Sequence, residues 1–267
     1  MVEDLSLEQE LALWLETPLG CYVRAWEQQQ IDAIVSNLFG YHALQVGLPQ
    51  WDFLRANRIP AKWVTQSTPS QVSVPRLSVM AQPQELPFES QSIDLLVLPH
   101  VFECSSNAHQ ILREVERVLV PEGRVVISGF NPWSLWGLSD RIPGVDPVLP
   151  IPVDSQVSLV RLKDWFKLLS MDLERGRFGC YVPPCSTEQW IRRWSFMEAA
   201  GDRWWAVCGA VYVVSAVKRV AGMTLVQPSW KKKQRRRARR AAVVMPQNTV
   251  ATDVHSSPPV SDTSSAP

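Results

Sequence analysis

The chain has 267 residues, of which 46% are hydrophobic and 20% charged, so it can bury a sizeable core and is not disordered throughout. Twenty-one prolines against twelve glycines without a triplet period exclude a collagen-like chain, and five cysteines are an odd number, not a disulfide framework. The net charge of +1 hides a split: 19 basic against 24 acidic side chains through Trp230, a net of −5, then eight basic against two acidic, a net of +6.

The opening, MVEDLSLEQE, is acidic and polar, the opposite of a signal peptide's cationic then apolar order. Helices are expected over residues 6–16 and 21–39, broken at Thr17-Pro18-Leu19-Gly20 and stopped at Gly40. In the second, Val23, Trp26, Ile31, Ile34, Val35 and Leu38 share one face. Residues 42–48 then read as a short buried strand, with weaker strands at 62–66 and 76–80. The run 93–98, IDLLVL, is nearly continuous in apolar residues, as a strand covered on both faces requires.

An amphipathic helix comes next at 108–120, with Ile111, Leu112, Val115, Val118 and Leu119 on one side. Pro121-Glu122-Gly123 reads as a turn and 124–130 as the next strand, which completes a right-handed βαβ unit. Past a proline-rich excursion at 142–153, Leu162, Trp165, Phe166 and Leu169 mark another helix. Residues 172–180 and 204–217 read as strands joined by an irregular connection rich in tryptophan. The second of these, fourteen uncharged residues between Arg203 and Lys218, falls short of the ~20 that a membrane span needs. A cytoplasmic protein without a transmembrane segment is the expectation. Residues 231–267 contain no aromatic residue and are expected not to fold. The domain organisation expected is a helical segment at 1–40, an α/β domain at 41–226 and a basic tail at 227–267.

In an open parallel sheet, ligands bind beyond the carboxyl ends of the strands where strand order reverses. The loops in that position are 47–51, 82–88, 99–103 and 131–136. One ordered set of residues is distinctive: Glu85-Leu86-Pro87-Phe88, then Ser92-Ile93-Asp94-Leu95-Leu96-Val97, then Leu112-Arg113-Glu114 and Arg117-Val118-Leu119-Val120-Pro121-Glu122-Gly123. It resembles the second half of a class I S-adenosylmethionine-dependent methyltransferase of the UbiE-like, type 11 group, whose pattern reads LPF, then SFDLV, then LxExxRVLxPGG. Ile93 stands for the usual Phe and Glu122 for the usual first Gly of the last motif.

The resemblance extends over about residues 40–220. It implies a Rossmann-like α/β fold, with a mostly parallel sheet, helices on both faces and an antiparallel last strand. It also implies S-adenosyl-L-methionine as cofactor and a small or medium-sized methyl acceptor. Gln45 stands where the family has an acid at the end of the first strand. Gly47 matches the first glycine of the turn after it, while Pro49 and Trp51 replace the later ones. Thr65 or Gln66 takes the place of the ribose-binding acid, and Gln82 that of the Asp beside adenine. Carried over by position, Gly47 passes the cofactor's amino-acid portion, Gln82 and Leu86 border adenine, and Pro99 and His100 lie beside the sulfonium.

His100 admits two readings: a cofactor contact or general base, its ordinary pKa of ~6.5 suiting proton removal, or a side chain bonded to backbone at a strand end. Asn131, Trp133 and Trp136 are candidates for the acceptor side, with the tryptophans either stacking on a planar substrate or packing a lid. Cys180 and Cys185 lack a second pair, and no metal site is expected. The run 231–240, which begins at Lys231 and ends at Arg240, suits nucleic acid, an anionic surface or mere solubility. A catalytically inactive binding module of the same fold is the alternative that the Gln45, Pro49 and Gln82 departures leave open.

Overall fold

The computed structural model describes residues 6–67, 77–144, 146–184 and 187–219. Helix α1 (Leu7–Trp14) begins at a capping box in which Ser6 and Gln9 satisfy each other's main-chain N–H groups. Thr17 caps α2 (Pro18–Val35), and Pro18 occupies its first position, where the missing N–H costs nothing. The Thr17-Pro18 break is thus the start of α2, and this helix ends four residues before the expected Phe39.

Strand β1 (His42–Val46) is set by Asp94, whose Oδ2 accepts from the Tyr41 and His42 amides at 2.8 and 2.9 Å. Strands β2 (Ala61–Gln66), β3 (Leu77–Met80) and β4 (Ile93–Pro99) come next, then α3 (Ala108–Val118) and β5 (Leu119–Phe130). The expected turn at Pro121-Glu122-Gly123 is instead part of β5. Glu122 has φ +62°, and the pairing with β4 slips between Ile93 and Leu95, so the family's PGG segment bends a continuous strand rather than reversing it.

Beyond it lie α4 (Leu135–Ser139), α5 (Leu159–Leu168), β6 (Met171–Gly179), α6 (Glu188–Arg193), α7 (Phe196–Trp204) and β7 (Val211–Lys218). The connection expected to be irregular contains two helices, and 204–210 is not strand. Gly209 passes so close to Gly179 that a Cβ on it would stand 2.6 Å from main-chain atoms. Only beyond that contact can β7 pair, with Val211 opposite both Gly179 and Phe130.

The sheet order is β3-β2-β1-β4-β5-β7-β6. Strands β1 to β5 are parallel, and β7 runs antiparallel between β5 and β6. Alternate residues feed two cores. Ala43, Leu95, Val97 and Val126 pack under α1 and α2, while Leu44, Leu96, Leu98 and Val125 pack under α3 and α5. The order reverses between β1 and β4, so the crevice expected for a ligand opens above Val46 and Pro99. No helix among the described residues is long and apolar enough to cross a membrane. The basic run 231–240 and Cys185 lie outside the described residues.

Candidate active site

A cavity of about 330 Å³ sits at that crevice. Each neighbouring strand contributes residues at or just past its carboxyl end: Gly47 and Leu48 after β1, Ser67 after β2, Gln82 to Gln84 after β3, and Pro99 to Val101 from β4. Helix α1 forms the roof with Leu7, Glu8 and Leu11. Of the six residues expected to hold the cofactor, Gly47, Gln82, Pro99 and His100 lie in this wall, whereas Gln45 and Leu86 do not.

Gln45 is fully buried beneath the turn. Its Nε2 donates to the carbonyls of Gly47, Leu48 and Trp51 at 3.1, 3.1 and 2.8 Å, and its Oε1 accepts from the Phe53 amide at 3.0 Å. A carboxylate has no proton to give those carbonyls, so this turn is built around an amide. Gly47 has φ +77° and Leu48 φ +45°, a left-handed pair that is costly for leucine, about 1–3 kcal/mol, and needs such a brace. Neither Pro49 nor Trp51 enters the cavity. The Trp51 ring lies under the Arg24 guanidinium at 5.2 Å.

Leu86 is buried among Val46, Leu98 and Val101. The motif that carried the family resemblance anchors it. Arg117 donates to the carbonyls of Leu86 and Phe88 at 3.0 and 2.9 Å and pairs with Glu114 at 2.8 Å, while Glu114 accepts from the Leu86 amide at 3.3 Å. The Arg117 bond lowers the Glu114 pKa below its usual range. Leu86 therefore anchors the loop that presents Gln82 and Gln84. On β2, Thr65 is buried with its carbonyl taken by the Gly47 amide, and Gln66 keeps a buried Oε1 without a hydrogen-bond partner.

His100, with φ +54°, is buried between two carboxylates. Its Nε2 lies 2.8 Å from Glu27 and its Nδ1 2.7 Å from Glu103, and its ring lies over Phe130 with centroids 4.4 Å apart. Glu103 also accepts from the Phe130 amide. Burial pulls the imidazole pKa down, but Glu27 and then Glu103 pull harder, raising it to about 10. A carboxylate lies beside each ring nitrogen, an arrangement that favours the protonated imidazole over a free base. Burial raises the Glu103 pKa as well. Glu27 escaped the sequence reading, although it falls on the stripe Val23, Glu27, Ile31, Val35 that α2 buries. An acid on a buried stripe was the available signal.

The loop after β5 divides into three roles. Asn131 is a clamp, its Nδ2 donating to the carbonyls of Val207 and Gly209 at 2.9 Å each and its Oδ1 accepting from the Trp133 amide at 3.2 Å. Trp133 is exposed beneath Arg141, at 5.3 Å. Trp136 is buried, donates to the Val182 carbonyl at 2.8 Å, and lines a second cavity of about 260 Å³ with Leu135, Tyr181, Met197 and Trp205. No charged side chain lines this cavity. Trp14 stands edge-on to both Phe130 and Trp136, at 5.6 and 6.5 Å.

A family model described as a methyltransferase domain matches residues 60–127, from β2 through most of β5. The uncharacterised protein YafS of Escherichia coli K12 is 30% identical over 166 residues, covering 62% of this chain and 67% of that protein. The chain belongs to the class I methyltransferase family. Solved structures share the fold of this methyltransferase at low identity. The putative methyltransferase in complex with the Haloferax volcanii Trm112 activator is 15% identical with a TM-score of 0.56, over 81% of this chain and 99% of that one. An S-adenosylmethionine-dependent methyltransferase from Archaeoglobus fulgidus is 16% identical with a TM-score of 0.52, over 73% and 94%. The strand order and the antiparallel β7 of this methyltransferase agree with the fold expected from its sequence motifs.

Proposed function

We propose that this methyltransferase takes its methyl group from S-adenosylmethionine bound in the 330 Å³ cavity and passes it to an acceptor with an apolar portion. The observation that carries this reading is the cavity itself: it crosses the carboxyl ends of β1 to β4 at the switch point and meets the main chain at Gly47. The residues present fit the cofactor. Gly47 and Leu48 bring backbone to the cavity wall, and Gln82 and Gln84 offer amides to a heterocycle.

The cofactor supplies an activated sulfonium methyl, so alignment and dryness are most of what the protein must add. The Glu27–His100–Glu103 assembly stiffens the β4 loop, and α1 shields the cavity from water. Beside Trp136 the second cavity is lined by apolar side chains, the thiols of Cys180 and Cys208, and two engaged polar groups: the Trp136 indole N–H donates to Val182, and the Tyr181 hydroxyl donates to the Ala206 carbonyl at 2.8 Å. It therefore favours an alkyl or aryl group of the acceptor. Trp133 and Asn131 are proposed to shape the entrance, Trp133 by exposed surface and Asn131 by fixing the loop.

Calorimetric titration with S-adenosylmethionine and S-adenosylhomocysteine tests the cofactor assignment. Saturable binding of both is expected, weakened at least tenfold by Gly47→Val, which forces a branched side chain into a left-handed conformation. Absence of heat at millimolar ligand contradicts it.

A further inference from the structure

The turn after β1 has spent its carbonyls. The oxygens of Gly47, Leu48 and Trp51 all face the Gln45 amide, whose two N–H protons they share. His100 faces Glu27 and Glu103, and neither of those carboxylates lines the cavity. The proposed cofactor brings a sulfonium, an ammonium and one carboxylate, a net charge of +1. Among the described residues that line the cavity, Glu8 is the only carboxylate.

Its position is specific. Glu8 Oε1 lies 3.4 Å from the Leu48 amide and 3.6 Å from the point where a Cβ on Gly47 would stand. The carboxylate thus faces the place where main chain and ligand come closest. It is held there by a rigid element: the capping box fixes the first turn of α1, Leu11 and Leu15 anchor its underside in the core, and the Trp14 indole donates to the Val148 carbonyl at 2.9 Å. The contact with Leu48 is long, near the limit of a useful hydrogen bond, and is easily surrendered to an incoming carboxylate.

We infer that Glu8, resting on the cofactor reading above, receives the ammonium of the methyl donor's amino-acid end while the Leu48 amide receives its carboxylate. Charge-assisted contacts of this kind are stronger than neutral ones.

The test is calorimetry of the full chain and of Glu8→Gln with three probes: S-adenosylmethionine, S-adenosylhomocysteine, and methylthioadenosine, which lacks the amino-acid end. Glu8→Gln is expected to weaken the first two about tenfold or more and to leave methylthioadenosine within about twofold. Glu8→Asp, which keeps the charge on a shorter arm, is expected to lose less than Glu8→Gln. Unchanged affinity, equal loss for all three probes, or tighter binding overturns the assignment, the last by showing that Glu8 competes for the Leu48 amide. Binding by the wild type with an unaltered variant removes Glu8 alone. No binding of any probe by the wild type removes the cofactor reading as well.

Discussion

Gln45 and His100 show how a single side chain can keep its place in a family pattern while changing its work. Replacing Gln45 by the acid expected at that position sets a buried carboxylate against three carbonyl oxygens. Gln45→Glu is therefore expected to lower unfolding free energy by about 3 kcal/mol or more, read from urea denaturation, and not to improve cofactor binding. For His100 the folded pKa of about 10 lies above the ordinary ~6.5, so the native state holds the proton more tightly than the unfolded chain. Its contribution is complete below about pH 6.5, declines as pH rises, and is gone above about pH 10. Glu27→Gln removes the largest single upward pull, the charge of Glu27, so the decline should move to lower pH in thermal melts followed across that range. Sequence placed Gln45 and His100 but not these roles, because hydrogen-bond direction and burial depend on residues far along the chain, such as Glu27.

At the scale of elements, the legible parts are those that repeat with a clear period. Strand β4 and helix α3 match their expected spans closely because one is continuously apolar and the other sharply two-faced. Helices α4, α6 and α7 have five, six and nine residues, too few turns for a face to declare itself, and tryptophans there suggest strand or loop. The Pro121-Glu122-Gly123 segment misleads for a different reason. Turn residues also suit a bulge, and only the pairing with β4 separates the two. The Glu114–Arg117 motif is legible as a family signature but its purpose is not. Arg117 ties α3 to the loop after β3. Arg117→Ala is expected to cost about 1–3 kcal/mol of stability and to weaken nucleoside binding several-fold by freeing Gln82 and Gln84, measured by melting and by titration with methylthioadenosine.

Across the whole molecule, charge and chemistry divide. The compact unit ending at Val220 contains both cavities, and the net −5 through Trp230 suits a cationic methyl donor better than a polyanion. The eight cations of 231–240 form a separate proposal, a contact with phosphate-bearing surfaces that salt would weaken. The central claim concerns the crevice between β1 and β4, where an amide-braced turn, the β3 loop and the roof helix close around one volume. A crystal grown with S-adenosylhomocysteine tests it most directly. Density for the nucleoside between Gln82 and Pro99, with its amino-acid end at Gly47 and Leu48, is the predicted result. Density lodged elsewhere, or a crevice left unfilled at saturating ligand, would contradict it.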